Sequence, residues 1–327
     1  MDKKKIIITG GSGFIGTNLV EHYLSLGWEV LNLDINSPRN SAHKEYWQKL
    51  DIVDRAELLR VFHDFMPDYV LHFAARTDLD EHENLSGYSA NIQGVRNMVD
   101  AIKSTREIKR TIFASSQLVC RVGYQPETDE DYCPNTLYGH SKVIGEQIVR
   151  ASGNIGASWV LIRPTSIWGP WFDVPYRTFF MTINKGLYIH SGQIETQKKW
   201  GFVLNSVQQI HKLLIGPNDM INSKTFYLAD YSPLILKDFA NSAQKEMGAR
   251  KIVTLPFWLM KLIAQGGDTL KLLFWKNPPL TSFRLNNIIT NEIQETSSLE
   301  EITGPLPFTY LLGIEKTVEW LKSQQLI

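Results

Sequence analysis

The sequence has few cysteines and no imbalance of charge. Its two cysteines, Cys120 and Cys133, are too few for a disulfide scaffold and follow no metal-binding spacing, so we expect free thiols and no metal site. Lysine plus arginine and aspartate plus glutamate number 34 each, so no net charge attracts nucleic acid, and we expect no nucleic-acid partner. With 43% hydrophobic and 21% charged residues over 327 positions, the composition is that of a globular chain long enough for two lobes.

The sequence also lacks a long uninterrupted hydrophobic run. Near the start, three lysines precede only Ile6-Ile7-Ile8, which is too short for a signal peptide, so we expect a cytoplasmic protein. The apolar segment 255–275 is broken by Lys261, a glycine pair and two further charged residues, so we expect no membrane span. An interfacial helix needs a basic stripe, and the segment supplies only Lys261 and Lys271. We therefore prefer a buried helix pair here to a membrane-surface or hydrophobic-substrate contact.

A glycine-rich turn follows the first predicted strand. It reads Thr9-Gly10-Gly11-Ser12-Gly13-Phe14-Ile15-Gly16, and a helical pattern of apolar residues runs behind it to residue 26. Glycines at these positions let the backbone turn tightly and approach a pyrophosphate, which the amides at the helix start can bind. The glycines concerned are Gly10, Gly13 and Gly16.

An acidic residue, Asp34, ends the second predicted strand, 29–33. It lies 18 positions after Gly16, where a dinucleotide fold places the carboxylate that binds the adenosine ribose. The cofactor predicted by this pattern is NAD. NADP is disfavoured because its 2′-phosphate would meet the negative charge of Asp34.

Strand and helix patterns alternate along the first half of the chain. Strands are predicted near 47–50 and at 69–73, 110–114, 157–162 and 225–228, and helices at 55–65, 86–104 and 138–151. This alternation predicts an α/β fold with a doubly wound parallel sheet, a Rossmann domain, and a smaller C-terminal substrate-binding lobe. We place the NAD-binding domain at 1–165. The remainder, 166–327, is mainly the substrate lobe, with segments near 199–215 and 225–230 returning to the Rossmann domain.

A second group of polar residues carries the predicted chemistry. Tyr138 and Lys142 are four residues apart at the start of a predicted helix, so both lie on one helical face. A tyrosine normally titrates near 10, and positive charge from Lys142 and an oxidised nicotinamide favours the phenolate, so Tyr138 can accept a hydroxyl proton. Ser116 follows the strand at 110–114, at the sheet edge that binds ligands in such folds. We predict Ser116, Tyr138 and Lys142 as catalytic residues.

Together with the glycine turn, these residues resemble the extended short-chain dehydrogenase/reductase family, which includes NAD-dependent sugar-nucleotide epimerases and dehydratases. The resemblance extends to Asp51-Ile52, to His72-Phe73-Ala74-Ala75 and to the segment from Arg163 to Pro170. It implies a nucleotide-sugar substrate and a homodimer formed through a four-helix bundle of helices 86–104 and 138–151, with Ile92, Val99, Ile144 and Ile148 on the outward faces or packed on the sheet. The cofactor contacts that it implies, besides Tyr138 and Lys142, are Phe14, Ile15, Asp51, Ile52, Phe73, Ala74, Ala75, Arg76 and Thr165.

Simpler roles remain open for four of these residues. Core packing is the alternative for Phe14, Ile52 and Phe73. For Asp51 the alternative is a helix N-cap before Arg55.

Several positions depart from the family pattern. Dehydratases of the family carry an Asp-Glu pair directly after the catalytic Ser or Thr, and this chain has Gln117 and Leu118, so elimination of water is disfavoured. The cysteine of the 3,5-epimerising reductases is absent near Gln117, since Cys120 lies three positions later. Ser166 replaces the usual asparagine that contacts the diphosphate. The predicted substrate-binding residues are Ser116 and Ser166. The cations that remain as candidates for binding the diphosphate are Lys198, Lys199 and Arg284.

These features favour an NAD-dependent epimerase acting at C4 of a nucleotide-activated sugar through a transient 4-keto intermediate. A one-way keto-sugar reductase uses the same residues. A hydroxysteroid-like dehydrogenase and a non-catalytic dinucleotide sensor are the remaining alternatives.

Overall fold

The computed structural model describes residues 3–79, 81, 83–192, 194–273 and 280–327. Residues 274–279, which include the last two positions of the apolar segment discussed above, lie outside the described part. The strands in chain order are β1 Lys5–Thr9, β2 Glu29–Asp34, β3 Trp47–Lys49, β4 Tyr69–His72, β5 Arg110–Ala114, β6 Ser158–Pro164, β7 Ile167–Trp168, β8 Ile189–Ser191, β9 Gln197–Lys198, β10 Gly201–Phe202, β11 Lys224–Leu228, β12 Leu234–Ile235 and β13 Val253–Leu255.

Helices connect and cover these strands. The α-helices in chain order are α1 Phe14–Ser25, α2 Arg55–Phe65, α3 Ser89–Ser104, α4 Leu137–Ala151, α5 Tyr176–Asn184, α6 Val203–Ile215, α7 Asn218–Ile221, α8 Leu236–Glu246, α9 Phe257–Leu273, α10 Ser282–Ile289, α11 Ser297–Thr303 and α12 Tyr310–Ser323. Short 3₁₀ turns cover Ser41–Tyr46, Leu85–Tyr88 and Gln117–Val119.

The central sheet has seven strands, all parallel, in the order β11-β6-β5-β4-β1-β2-β3. The chain starts in β1, moves outward to β3, and then returns to build the other half from β4 to β11. This reversal of direction beside β1 is the point at which open α/β sheets bind ligands at the carboxyl ends of their strands. The predicted doubly wound α/β fold is confirmed.

The alternation of side chains in β1 explains why helices cover both faces of the sheet. Ile6 and Ile8 belong to one apolar cluster, together with Leu19 of α1 and Ile210 of α6. Ile7 belongs to the opposite cluster, which contains buried residues of α2, α3 and α4. Successive strand residues point to opposite faces, so an unbroken apolar triplet requires apolar cover on both sides.

The chain divides into two compact units. Unit 1 contains residues 1–172, 201–231 and 295–307, and unit 2 contains 173–200, 232–294 and 308–327. The segment 295–307, which the sequence did not indicate, belongs to unit 1 because Leu299 of α11 is buried in the same apolar cluster as Ile210 of α6. The assignment of the two units to cofactor and substrate binding stays a proposal.

Unit 2 has its own apolar interior and short sheets. Aromatic rings of α5 and α8 pack together, with Phe179 and Phe239 stacked at a centroid distance of 6.0 Å. Strands β8 and β13 form a parallel ribbon in which Ile189 pairs with Val253.

Two expectations about helices need correction. Helix α3 begins at Ser89, because the three residues before it form part of the 3₁₀ turn that Asn84 caps. Within the described part of the apolar segment after 255, the helix is buried on only one side. Met260 and Ala264 pack on Leu285 of α10, whereas Trp258 and Leu262 are 63% and 55% exposed.

Candidate active site

The glycine turn has the geometry that its sequence predicts. Gly10 has φ of +74°, and a Cβ at this position would lie 2.5 Å from the backbone nitrogen of Ala74, so a larger residue is excluded. A Cβ on Gly16 would collide with the carbonyl oxygen of Gly10. Helix α1 starts directly behind the turn, with no side chain capping its first amides and no acidic residue in its first turn. These free amides and the positive end of the helix suit a pyrophosphate.

The Asp34 carboxylate is held at the end of β2 by backbone amides. Oδ2 accepts a hydrogen bond from the Ser12 amide at 3.1 Å, and Oδ1 accepts one from the Asn36 amide at 2.9 Å. Partial burial raises the pKa of Asp34 above its ordinary value, and the backbone hydrogen bonds oppose this rise. The glycine turn and the acid are therefore joined directly, as a site for pyrophosphate and ribose requires.

The other predicted cofactor contacts near α1 and α2 have structural partners of their own. Phe14 lies against Phe172, with 6.3 Å between ring centroids, and Ile15 packs on the apolar core. Ile52 is buried in the core beneath Gly94 of α3. Asp51 is exposed and accepts from the amide of Val53 at 3.0 Å. The N-cap of α2 is Asp54, so the N-cap alternative for Asp51 is wrong.

The segment after β4 is fixed to β1 and α3. Thr9 links it to the first strand, since its hydroxyl hydrogen-bonds His72 Nδ1 at 2.8 Å and accepts from the Ala74 amide at 3.3 Å. Phe73 packs on one core cluster and Ala74 on the other. The Arg76 guanidinium pairs with Asp78 at 2.7 Å. These contacts therefore hold the backbone of residues 73–76, which include Ala75, in place at the end of β4.

Asn91 is a site-positioning residue that sequence reasoning missed. Its amide accepts from the backbone nitrogen of Arg76 at 2.9 Å, donates to the Arg76 carbonyl, and donates to the Ser141 hydroxyl at 2.9 Å. Ser141 in turn donates to the Tyr138 carbonyl. Asn91 thus ties the segment after β4 to the first turns of α4. Its contacts with Arg76 and Ser141 span 15 and 50 residues, so no local spacing in the sequence predicts them.

Ser116 and Tyr138 lie close together at the carboxyl end of β5. Tyr138 lies in the first turn of α4, whose N-cap Thr136 accepts from the Gly139 amide at 3.0 Å. The Ser116 side chain lies near enough to the Tyr138 phenol to influence its pKa, and Ser116 Oγ accepts from the Leu118 amide at 3.1 Å. Burial raises the pKa of Tyr138 to about 12, and the Ser116 side chain opposes this rise. The structure therefore brings two of the three predicted catalytic residues close together.

Lys142 completes the group one turn further along α4. Its ammonium lies 5.9 Å from the centroid of the Tyr138 ring and donates to the carbonyl of Ala114 at 2.9 Å. Burial lowers the pKa of Lys142 to about 8, and the Glu146 carboxylate acts in the opposite direction. A cation at this place favours the phenolate form of Tyr138.

The Glu146 carboxylate belongs to a buried ion pair that the sequence did not reveal. It accepts from Arg163 of β6 at 2.7 Å and 2.9 Å, and both side chains are fully buried. The Arg163 guanidinium also lies between the rings of Tyr132 and Tyr227, 5.5 Å and 5.4 Å from their centroids. The pair anchors the helix that carries Tyr138 and Lys142 to the sheet.

The predicted substrate residues are dispersed between the two units. Ser166 is buried in unit 1, and Thr165 before it donates its hydroxyl to the Leu228 carbonyl at 2.9 Å. In unit 2, Lys198 is buried and donates to Asn287 O at 2.8 Å and to Glu292 at 3.3 Å. Arg284 is exposed on α10. The ammonium of Lys198 is therefore engaged within its own unit, and substrate contacts for these residues stay predictions.

The described residues contain no group of three metal-ligating side chains, and none of their helices is long and apolar enough to cross a membrane. By contrast, the cradle at β1–α1 fits a dinucleotide. It offers an uncapped helix start, a backbone that cannot accept a Cβ at Gly10 or Gly16, and an oriented carboxylate at Asp34. Together with Ser116, Tyr138 and Lys142, it defines an enzyme of the short-chain dehydrogenase/reductase type.

Comparison with known proteins gives the family. Residues 6–224 match the model of the NAD dependent epimerase/dehydratase family, and the chain belongs to this family. The predicted enzyme class and the NAD cofactor are thereby confirmed.

Three similar proteins illustrate the range of the family. A 3-beta-hydroxysteroid dehydrogenase of Mycolicibacterium neoaurum is 26% identical over 73% of this chain and 69% of its own length. The N-acetyl-alpha-D-glucosaminyl-diphospho-ditrans,octacis-undecaprenol 4-epimerase of Escherichia coli O157:H7 is 24% identical over 96% of this chain and 94% of its own. The structure of UDP-glucose 4-epimerase from Thermotoga maritima with UDP-glucose has a TM-score of 0.74, 20% identity, and coverage of 98% and 99%.

The predicted dimer helices contact each other within the chain. Val99 of α3 and Ile148 of α4 pack in the core of unit 1, so they do not lie on an outward face. Ile92 and Ile144 remain half-exposed. The homodimer stays a prediction.

Proposed function

We propose that the protein is an NAD-dependent epimerase that inverts C4 of a sugar carried on a diphosphate, with nucleotide-activated sugars as the substrate class. The observation that carries the proposal is the proximity of Ser116 and Tyr138 beside the Lys142 ammonium, with Gln117 and Leu118 in the two positions that follow Ser116. This arrangement suits reversible oxidation of a hydroxyl. It places no carboxylate pair after Ser116 to protonate a leaving hydroxyl and remove the C5 proton.

The side chains of the site have distinct tasks in this reaction. Tyr138 removes the O4 proton when the C4 alcohol becomes a ketone, and returns it when the alcohol re-forms on the opposite face. Ser116 hydrogen-bonds the same oxygen in both states. Lys142 supplies the positive charge that favours the phenolate. Bound NAD supplies the acceptor and donor for the C4 hydride.

The relatives support epimerisation, and two kinds of carrier for the sugar remain possible. The Escherichia coli relative, which matches nearly the whole chain, is named for a 4-epimerase reaction on a sugar joined by a diphosphate to undecaprenol. The Thermotoga maritima structure with the same fold is a UDP-glucose 4-epimerase. In both, the sugar is attached to a diphosphate, and the remaining part of the carrier is a lipid or a nucleoside.

A hydroxysteroid-like dehydrogenase is the second candidate. The Mycolicibacterium neoaurum relative favours it, because it matches 73% of this chain and is named as a 3-beta-hydroxysteroid dehydrogenase. A dehydrogenase leaves reduced NAD as a net product, whereas an epimerase leaves none. The two candidates therefore differ in stoichiometry.

The test is a substrate panel followed by NMR. Purified protein and NAD are incubated with UDP-, GDP- and dTDP-hexoses, a polyprenyl-diphosphate sugar and a 3β-hydroxysteroid, while reduced NAD is followed by absorbance. We expect a mixture of C4 epimers from one diphosphate sugar, with no net reduction of NAD. A stable 4-keto-6-deoxy product contradicts epimerisation, and conversion of only the steroid establishes the second candidate.

A further inference from the structure

An exposed apolar surface lies on the β8–β13 ribbon and on α9 of unit 2. We call it the ribbon–helix surface and define it by Leu187, Ile189, Val253, Trp258 and Leu262, all of which are exposed. Ile189 and Val253 are partners in the parallel register, so their side chains lie side by side on one face of the ribbon. Helix α9 begins two residues after β13 ends, so Trp258 follows the ribbon closely in the sequence.

Helix α9 has apolar side chains on two sides, and among the described residues only one of these sides is covered. Met260 and Ala264 are buried against Leu285 of α10. Trp258 and Leu262 are four residues apart and therefore lie together on another side, where each is more than half exposed. A helix that is apolar all round is normally buried. We therefore expect the outer side of α9 to contact an apolar or interfacial partner.

Basic residues surround this surface. The segments 184–192 and 249–263, which form it, contain Lys185, Arg250, Lys251 and Lys261 and no acidic residue, although the whole chain is neutral. All four are exposed. The Arg250 side chain packs over Gly186, next to Leu187, and the Lys261 ammonium lies 4.8 Å from the centroid of the Phe257 ring. The basic stripe that α9 lacks by itself is thus supplied by neighbouring segments.

We propose that the ribbon–helix surface docks on an anionic lipid bilayer. Trp258 and Leu262 insert at the level of the headgroups, and the four cations face the lipid phosphates. Aromatic and aliphatic side chains beside lysine and arginine are the composition of interfacial helices, and a tryptophan is favoured at this depth. Because none of the described helices is long and apolar enough to span a bilayer, the contact is peripheral.

The charge of the surface argues against a second copy of this chain as its occupant. A two-fold symmetric contact places the same patch on both partners, so two sets of four cations would face each other. Like charges at an interface oppose association. An anionic bilayer is complementary to the same arrangement.

The docking proposal has a consequence for the substrate, and that consequence alone rests on the proposed function. An epimerase held at a bilayer meets diphosphate sugars whose carrier is a lipid. The docking itself is independent of which sugar is converted.

Vesicle flotation tests the proposal. The full chain is mixed with phosphatidylcholine vesicles, with or without phosphatidylglycerol, at low and high salt. The variants are Trp258→Ser with Leu262→Ser, and Arg250→Glu with Lys251→Glu. The controls are Leu26→Ser and Lys103→Glu, which change exposed residues of unit 1. Thermal melting confirms that each variant is folded.

We expect the wild type and both controls to float with vesicles that contain phosphatidylglycerol, and salt to weaken this binding. Each paired variant should lower the bound fraction at least about tenfold. Absence of flotation for the wild type, or equal flotation of the paired variants, overturns the proposal. So does a wild-type dimer that Trp258→Ser with Leu262→Ser converts to a monomer, since the surface then joins two copies. Failure to convert any sugar in the panel contradicts the proposed function and leaves the flotation result unchanged.

Discussion

At Tyr138, burial and the neighbouring Ser116 act on the phenol in opposite directions. Burial raises its pKa to about 12, while the Ser116 side chain acts to lower it. The Lys142 ammonium, 5.9 Å from the centroid of the ring, favours the phenolate, and oxidised NAD would add further positive charge when bound. We therefore predict that the groups around its oxygen allow this buried tyrosine to act as a base.

Replacing this phenol tests its role. Tyr138→Phe should lower turnover on the identified substrate at least about a hundredfold, because proton transfer to and from O4 is lost. NAD affinity should change little, and Lys142→Met should reduce both turnover and NAD affinity. Steady-state kinetics and NAD titration measure these effects. Near wild-type turnover of Tyr138→Phe would falsify the assignment.

A second residue, Asp34, is predicted to decide which cofactor is bound. Its carboxylate is oriented by the Ser12 and Asn36 amides, so its oxygens are placed to accept from ribose hydroxyls and to repel a 2′-phosphate. Asp34→Ala should weaken NAD binding by roughly tenfold to a hundredfold, as expected for loss of a hydrogen bond to a charged group, and reduce discrimination against NADP. Calorimetric titration of both cofactors measures this change. The control is Asp64→Ala, which replaces an exposed carboxylate of α2. Tighter NADP than NAD binding in the wild type rules the assignment out.

At the scale of elements, helix α4 shows which features of the site the sequence predicts and which it does not. The spacing of Tyr138 and Lys142 predicts a shared face, and the structure has both on α4 beside Ser116. The sequence did not predict the Glu146–Arg163 pair, because its members are brought together by packing of α4 on β6. Asn91 was missed for the same reason. Local patterns specify periodicity and turns, and side-chain pairs between distant segments follow only from tertiary packing.

A carboxyl group that follows β11, Asp230, lies against the start of α6, and its titration should affect stability. Asp230 accepts from the Phe202 amide at 3.3 Å and from Asn205 Nδ2 at 3.0 Å. Burial raises its pKa from 3.8 to about 7, against the effect of these hydrogen bonds. Between these two values the unfolded chain loses the proton while the folded chain keeps it. The free energy of unfolding therefore falls as pH rises through this window, and the loss is complete above it.

Asp230→Asn removes this titration and keeps an acceptor oxygen. We expect the variant to match the wild type at about pH 4 and to exceed its melting temperature at about pH 8. Melting curves by circular dichroism at the two pH values measure the difference. A variant whose melting temperature is lowered, and lowered more at about pH 8 than at about pH 4, would contradict this, because the ionised carboxylate would then stabilise the fold.

At the scale of the whole molecule, the alternation of strands and helices predicted the parallel sheet well. The triplet Ile6-Ile7-Ile8 is apolar at every position because both faces of β1 are covered, and this is visible in the sequence. The ribbon–helix surface is not visible there. Arg250 and Lys251 precede the apolar segment and Lys185 lies more than 50 residues away, so inspection of the apolar segment alone missed the basic surroundings of Trp258.

The assembly state is a further prediction at this scale. By family resemblance we expect a homodimer through α3 and α4, where Ile92 and Ile144 are half-exposed. Light scattering at micromolar concentration measures the mass, and Ile92→Glu with Ile144→Glu should give a monomer. A wild-type monomer would mean that the apolar residues of these helices serve only the core of unit 1.

Isotope tracing tests the central claim, redox-neutral inversion at C4, most directly. The diphosphate sugar that the panel identifies is labelled with deuterium at C4 and incubated with protein and NAD, and the product is analysed by NMR. The account predicts that the C4 epimer retains deuterium at C4. In a matched run with unlabelled sugar in heavy water, no solvent deuterium should enter C4 or C5, because Tyr138 exchanges a proton only with O4. Solvent deuterium at C5, or loss of the C4 label to the NAD pool as a net product, would contradict it.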